Sequence, residues 1–195
     1  MNLANKLTIF RIILVPILVI IPFFYIQGEF LNIPISMWIM NAIFIIASIT
    51  DKLDGYIARS RNQITTFGKF LDPIADKILV LSAMLILVEM NKLPAWIPII
   101  VLFREFIVSG YRLVAVEKGG KIIAASIWGK LKTLTQMIAI ILAFIDTNYY
   151  GAFINGGLTG YNYIINLVMT IIMTMSVIAT IFSGYDYIKN GKDLF

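Results

Sequence analysis

The chain contains neither cysteine nor histidine. That double absence excludes disulfides, thiolate nucleophiles, imidazole bases and Cys/His zinc centres, leaving acid–base chemistry to Asp, Glu, Lys or Tyr. Charge is scarce too: 14% of the 195 residues are charged and 59% are hydrophobic, with a mean hydropathy of +0.88. A soluble domain of this length cannot hide so much apolar surface, so the composition specifies an all-α integral membrane protein. No internal repeat, low-complexity tract or linker interrupts it, and residues 1–195 are expected to form one domain. The first apolar run is not followed by a small-residue cleavage site, so no cleavable signal is expected.

What is present is a set of long apolar runs, at 7–26, 33–57, 74–88, 94–116, 122–145 and 161–188. A helix needs about 20 residues to span hydrocarbon, which predicts six transmembrane helices. Open strands are excluded at that depth because lipid cannot satisfy an unpaired backbone. Basic residues set the orientation. Lys6 and Arg11 open the first run, Arg59, Arg61 and Lys69 lie between the second and third, Lys118 and Lys121 between the fourth and fifth, and Lys189 and Lys192 follow the sixth. The alternate loops, 27–32, 89–93 and 146–160, contain one lysine, Lys92. By the positive-inside rule both termini are cytoplasmic. The net charge of +5 reflects topology and anionic lipid rather than nucleic-acid binding. The glycine-rich segment 155–160 reads as a turn.

Against this background stands one charged stretch, "DKLDGYIARSRNQITTFGKFLDPIADK", residues 51–77. On a helical wheel with Asp51 at zero, Asp54 falls at about −60°, Gly55 at about +40° and Ala58 at about −20°. Two carboxylates and two small residues therefore share one face. Gly68, Asp72 and Asp76 follow at i, i+4 and i+8 on the next helix, and the short connection makes the two helices antiparallel neighbours. Two carboxylates ~6 Å apart repel by roughly 3 kcal/mol at an effective dielectric of 20, and six such pairs would cost on the order of 15 kcal/mol. A fold cannot absorb that. Lys52 and Lys77 point about 100° away from their neighbouring aspartates. A hard divalent cation, Mg²⁺ or Mn²⁺, suits an all-oxygen ligand set, and four carboxylates suffice for two ions. A salt-bridge knot around Arg59, Arg61, Lys69 and Lys77, or a proton or cation pathway, stays open as an alternative.

A second polar group lies inside the fourth run, where Arg104 and Glu105 are followed by Ser109 and Arg112. In one reading the Arg–Glu pair serves only to neutralise itself. In the other reading Arg112, with Lys130 and Lys132, forms a cationic pocket for a phosphate, which needs at least two cations or comparable donors once taken from water. Lys118 and Lys121 read as facing lipid headgroups, and the tryptophans and methionines as anchors and packing.

The residues Asp51-x2-Asp54-Gly55-x2-Ala58-Arg59-x8-Gly68-x3-Asp72-x3-Asp76 resemble the signature of the CDP-alcohol phosphatidyltransferase family. Eight fixed positions recur by chance on the order of 10⁻¹⁰ per starting point. "NLANKLTIFRIILVPI", "FREFIVSGYRLVAVEKG" and "AASIWGKLKTLTQM" resemble the bacterial branch that makes phosphatidylglycerophosphate. The resemblance implies a six-helix enzyme of the bacterial cytoplasmic membrane, commonly a homodimer, with its site open to the cytoplasmic leaflet. It would join CDP-diacylglycerol to glycerol 3-phosphate, releasing CMP. Asp51, Asp54 and Asp72 would bind one metal ion, and Asp51, Asp72 and Asp76 a second, with Asp76 also the general base. Gly55, Arg59 and Thr65 match positions that hold the donor, Ala58 and Gly68 leave room for it, and Asn5 and Thr8 close the site unless they are ordinary helix caps. Arg104, Ser109, Arg112, Lys130 and Lys132 are the candidates for the acceptor. Alternatives are another acceptor, such as phosphatidylglycerol in a cardiolipin synthase, or an ion-coupled transporter.

Overall fold

The computed structural model describes residues 3–60, 66–117 and 127–190, and within them all side chains but those of residues 3–5, 52–60, 66–70, 72–73, 116 and 190. The described residues form six α-helices: α1 (Leu3–Ile20), α2 (Ile35–Ser60), α3 (Thr66–Glu89), α4 (Trp96–Glu117), α5 (Ile127–Ile145) and α6 (Gly160–Asn190). Among them, Lys6–Phe23, Ile127–Ile145 and Gly160–Lys189 are long and apolar enough to cross a membrane, so the chain is a multi-pass helical membrane protein. α2 adds a shorter apolar run, Ile35–Asp51. α3 and α4 carry the charged groups singled out above, so despite their length neither offers a comparably uncharged stretch.

The contacts divide into two compact units, Met1–Lys92 with Ile141–Thr147, and Leu93–Ile140 with Asn148–Phe195. In the first, α1 packs against α2 and α3. Its buried residues, Thr8, Arg11, Leu14, Val15 and Leu18, recur at three- and four-residue steps, while Phe10, Ile13, Ile17 and Ile20 are exposed. An apolar residue on the open side of such a stripe suits lipid rather than water. On α2 the buried face runs through Met37, Met40, Asn41, Phe44, Ala47 and Ser48, and Phe44 meets Phe144 at 6.3 Å between ring centroids. Asp51 continues that same face, three residues past Ser48.

The α1–α2 connection holds a hairpin of two-residue strands, β1 (Glu29–Phe30) and β2 (Ile33–Pro34), pairing Glu29 with Pro34 and Phe30 with Ile33. Its turn residues, Leu31 and Asn32, both take positive φ, 56° and 59°, the geometry of a type I′ turn. The Trp38 indole donates to the Phe30 carbonyl at 3.0 Å, tying the hairpin to the start of α2. β1 lies in the predicted 27–32 loop, whereas β2 takes the first two residues of the predicted 33–57 run, which enters helix only at Ile35.

α3 ends in a Schellman motif. Asn91 adopts φ 57°, its N–H donates to the Val88 carbonyl at 2.9 Å, and the Lys92 N–H donates to Leu87 at 2.8 Å. The turn delivers the buried Lys92 side chain beneath the C-terminus of α5. There its ammonium donates to the carbonyls of Asp146 and, at 3.3 Å, Ala143. The exposed carbonyls of a helix end favour a cation. Lys92 is thus an internal helix cap, which is why it stands as the exception in an otherwise non-basic set of loops.

In the second unit α4 packs against α6. Small residues on the buried α6 face, Ser176, Ala179, Thr180 and Ser183, permit close approach. At the other end of α6, Asn166, Thr170 and Thr174 form an i, i+4, i+8 stripe that holds the preceding connection. The Asn166 carboxamide accepts from the Phe153 N–H and donates to the Tyr149 carbonyl, each at 2.9 Å. Thr170 Oγ1 accepts from the Gly151 N–H at 3.1 Å, and Thr174 shares a hydrogen bond with Tyr150 at 2.7 Å. Segment 155–160 runs from the end of a short 3-10 helix (Ala152–Asn155) through a turn at Gly156 into the start of α6, with Gly156 and Gly160 at φ 74° and 58°.

Candidate active site

Two polar groups stand out, one in each unit. In the first, the carboxylate of Asp51 on α2 lies 2.7 Å from Nη1 of Arg11 on α1. The Arg11 side chain is fully buried, whereas Asp51 keeps 28% of its side chain open. One oxygen edge of Asp51 is therefore tied to a fixed cation, and the carboxylate still reaches the surface. Asp76 is half-buried on α3 beside the fully buried Ala75 and Leu79. Thr8 is buried on α1, one turn before Arg11.

Because α1 begins at Leu3, Asn5 and Thr8 sit within the helix, and neither is its N-terminal cap. The side chains of Asn5, Asp54, Gly55, Ala58, Arg59, Gly68 and Asp72 lie outside the described residues, as does Thr65 altogether. Among the described residues no three acidic side chains gather as a metal site, a set that does not include Asp54 and Asp72. The donors that are described fit a hard ion: Asp51 and Asp76 offer carboxylate oxygens, one partly open and one half-buried.

Arg11 does more than the topological part expected of a basic residue opening the first span: its side chain is buried and paired with Asp51. A signal was present. Arg11 lies three residues after Thr8 inside an apolar run, and an ionisable residue at that depth calls for a partner.

In the second unit, Glu105 Oε1 accepts from Arg104 Nη1 at 2.9 Å and from the Lys132 ammonium. α4 and α5 are thereby joined through one carboxylate with two cations. Arg104 also donates to the Ser183 hydroxyl on α6, and Arg112 Nη2 donates to Tyr187 Oη at 2.7 Å. The Arg–Glu pair does neutralise itself in part. Three cations and one carboxylate nonetheless leave a formal charge of +2 on Arg104, Glu105, Arg112 and Lys132, which matches a phosphate monoester. Ser109 is half-buried on α4. Lys130 differs from the expectation: two residues from Lys132, it lies about 200° around α5, is exposed, and joins none of the contacts described for this group. Ser183 and Tyr187 were not foreseen, because nothing in their local sequence separates them from ordinary packing on α6.

The chain was compared with known proteins. The family model for CDP-alcohol phosphatidyltransferase matches residues 1–182. A Haemophilus influenzae protein named CDP-diacylglycerol–glycerol-3-phosphate 3-phosphatidyltransferase is 40% identical over 195 residues, covering 98% of this chain and 94% of that protein. A Bacillus subtilis protein of the same name is 48% identical over 144 residues, covering 71% of this chain and 74% of its own. A Mycobacterium tuberculosis protein named probable phosphatidylglycerophosphate synthase is 36% identical over 190 residues, covering 97% of this chain and 81% of that protein.

Proposed function

The chain belongs to the CDP-alcohol phosphatidyltransferase family, and from that premise we propose that it transfers the phosphatidyl group of CDP-diacylglycerol to glycerol 3-phosphate, giving phosphatidylglycerophosphate and CMP. The observation that carries the choice of acceptor is the Arg104–Glu105–Arg112–Lys132 group with its formal charge of +2. Serine or inositol would give such a group no anion to hold. The names borne by the relatives with near-complete coverage support the same acceptor.

Asp51, Asp54, Asp72 and Asp76 would hold one or two Mg²⁺ or Mn²⁺ ions, which when bound polarise the donor's pyrophosphate and stabilise the departing CMP. Arg11 keeps Asp51 oriented by a charge-assisted contact. Asp76 takes the proton of the acceptor's primary hydroxyl as that oxygen attacks the phosphorus of the phosphatidyl group. The P–O bond to CMP breaks in the same displacement, and no protein nucleophile intervenes. Arg59 is assigned to the donor pyrophosphate, with its planar fork of donors. Gly55, Ala58 and Gly68 leave room for the nucleotide, and Thr65, Asn5 and Thr8 complete its binding.

Six spans with both termini cytoplasmic, a site on the cytoplasmic side and a homodimer in the bacterial cytoplasmic membrane complete the reading, with residues 1–195 acting as one catalytic domain. The basic-residue pattern supports that orientation. The test is CMP release from CDP-diacylglycerol in mixed micelles, with each candidate alcohol in turn. Glycerol 3-phosphate should be used far faster than serine, inositol, glycerol or phosphatidylglycerol. EDTA should abolish the rate, and Mg²⁺ or Mn²⁺ should restore it better than Ca²⁺, which favours looser, higher coordination. Full turnover in metal-free buffer would end the metal assignment.

A further inference from the structure

Arg104 and Arg112 stand eight residues apart on α4, about 12 Å along its axis. Their guanidiniums nevertheless come to one aromatic ring. The Arg112 Cζ is 5.5 Å from the Tyr187 ring centroid and the Arg104 Cζ is 5.8 Å from it, both within the roughly 6 Å reach of a cation–π contact. The phenol oxygen of Tyr187 also accepts the 2.7 Å hydrogen bond from Arg112. One turn earlier on α6, Ser183 takes the other arginine. Between them, a Cβ built on Gly184 would lie 3.5 Å from Arg104 Cγ, so the arginine stem rests on the α6 surface. Tyr187 is 1% exposed and too enclosed to meet a ligand itself.

We infer that Tyr187 is a positioning residue for acceptor specificity, holding Arg112 and Arg104 in the arrangement that receives the acceptor's phosphate. The inference rests on the acceptor reading proposed above. Two like charges drawn together repel, and long arginine side chains lose rotamer freedom when fixed. A buried ring with a phenol acceptor meets both costs before the ligand arrives, because the ring face attracts the cations and the oxygen fixes the fork of one of them. The tyrosine therefore acts through the arginines. Its loss should appear in acceptor affinity and not in donor affinity.

The experiment is steady-state kinetics of the full chain with both substrates varied, for the parent, Tyr187→Phe, Tyr187→Leu, Arg112→Ala and the Arg112→Ala/Tyr187→Phe double variant. Tyr187→Phe keeps the ring and removes the acceptor, and should raise the KM for glycerol 3-phosphate about three- to tenfold. Its kcat and its KM for CDP-diacylglycerol should stay within twofold. Tyr187→Leu should raise the acceptor KM further; if it fails to fold, Tyr187→Phe alone carries the test. With Arg112 already alanine, Tyr187→Phe should add almost nothing. If Arg112→Ala raises the acceptor KM but Tyr187→Phe leaves it unchanged, or raises it equally in the Arg112→Ala background, the positioning role is overturned while the acceptor reading survives. If Arg112→Ala does not move the acceptor KM, the acceptor reading fails and the positioning role fails with it.

Discussion

Arg11 and Asp51, on α1 and α2, form an ion pair of 2.7 Å in which the cation is fully buried and the carboxylate is not. On the proposed reading, in which Asp51 shares its face with further aspartates, this one positive charge offsets part of their mutual repulsion. A buried guanidinium whose carboxylate partner is removed is costly, so the pair couples the packing of α1 to the charge of Asp51.

Arg11→Met is therefore expected to destabilise the metal-free protein by about 2–3 kcal/mol, with the partly open Asp51 keeping the loss below that of a fully buried pair. It should also make the protein more dependent on added ions, since the aspartates then repel without compensation. Thermal denaturation in EDTA and in Mg²⁺ or Mn²⁺ gives the readout. The metal-induced rise in Tm should be larger for Arg11→Met than for the parent, and Arg11→Lys should lie between them. Equal metal-induced shifts in all three would remove Arg11 from the cluster's electrostatics.

Asp51 and Asp76 should separate on substitution. Asp76→Asn is expected to cut turnover severely yet leave much of the CDP-diacylglycerol affinity, because an amide can still coordinate weakly but cannot accept the proton. Asp51→Asn should damage donor binding and turnover together, since it alters a proposed ion ligand and the partner of Arg11 at once. Equal losses of donor affinity in the two variants would show that the roles are not divided this way.

Lys92 predicts a pH dependence of stability. Burial holds its ammonium down to about 8, against an ordinary 10.5, with the Asp146 charge opposing part of that shift. Below about pH 8 the lysine is charged in both the folded and unfolded chains, and the burial penalty is fully present. Between about 8 and 10.5 the unfolded chain binds more protons, so this group's contribution makes stability rise with pH. The rise has a ceiling of roughly 3 kcal/mol, at 1.36 kcal/mol per pKa unit. The quantity to measure is the parent's denaturation curve minus that of Lys92→Met. A difference that is flat from pH 7.5 to 10 would contradict the buried-lysine account.

Orientation can be tested with single cysteines, since the chain has none of its own. Cysteine at position 62 should be labelled by an impermeant reagent from the cytoplasmic side of vesicles, and cysteine at position 148 from the opposite side. Labelling of both from one face would overturn the six-span topology.

Helix identity, the apolar faces and the spacing of the four aspartates were legible in the sequence because they are local properties. Residues three and four apart share a helix face whatever the rest of the chain does. Asp51, Asp54, Asp72 and Asp76 could therefore be placed on two stripes before any fold was known. The hairpin was less legible, because its turn puts Leu31 at positive φ, where a branched residue is not expected. The sequence also determined that residues such as Arg11, Lys92, Glu105 and Arg112 needed partners, since charge among apolar residues is costly. Only the tertiary structure decided which partners they have. Arg11 meets Asp51 across two helices, Lys92 reaches the Asp146 carbonyl 54 residues away, and Arg112 reaches Tyr187 75 residues away. Helical periodicity fixes the direction in which a side chain leaves its own helix but carries no information about which helix it meets. That is set by how whole helix faces pack, and a single tyrosine on α6 has no local mark to show that two arginines will close on it.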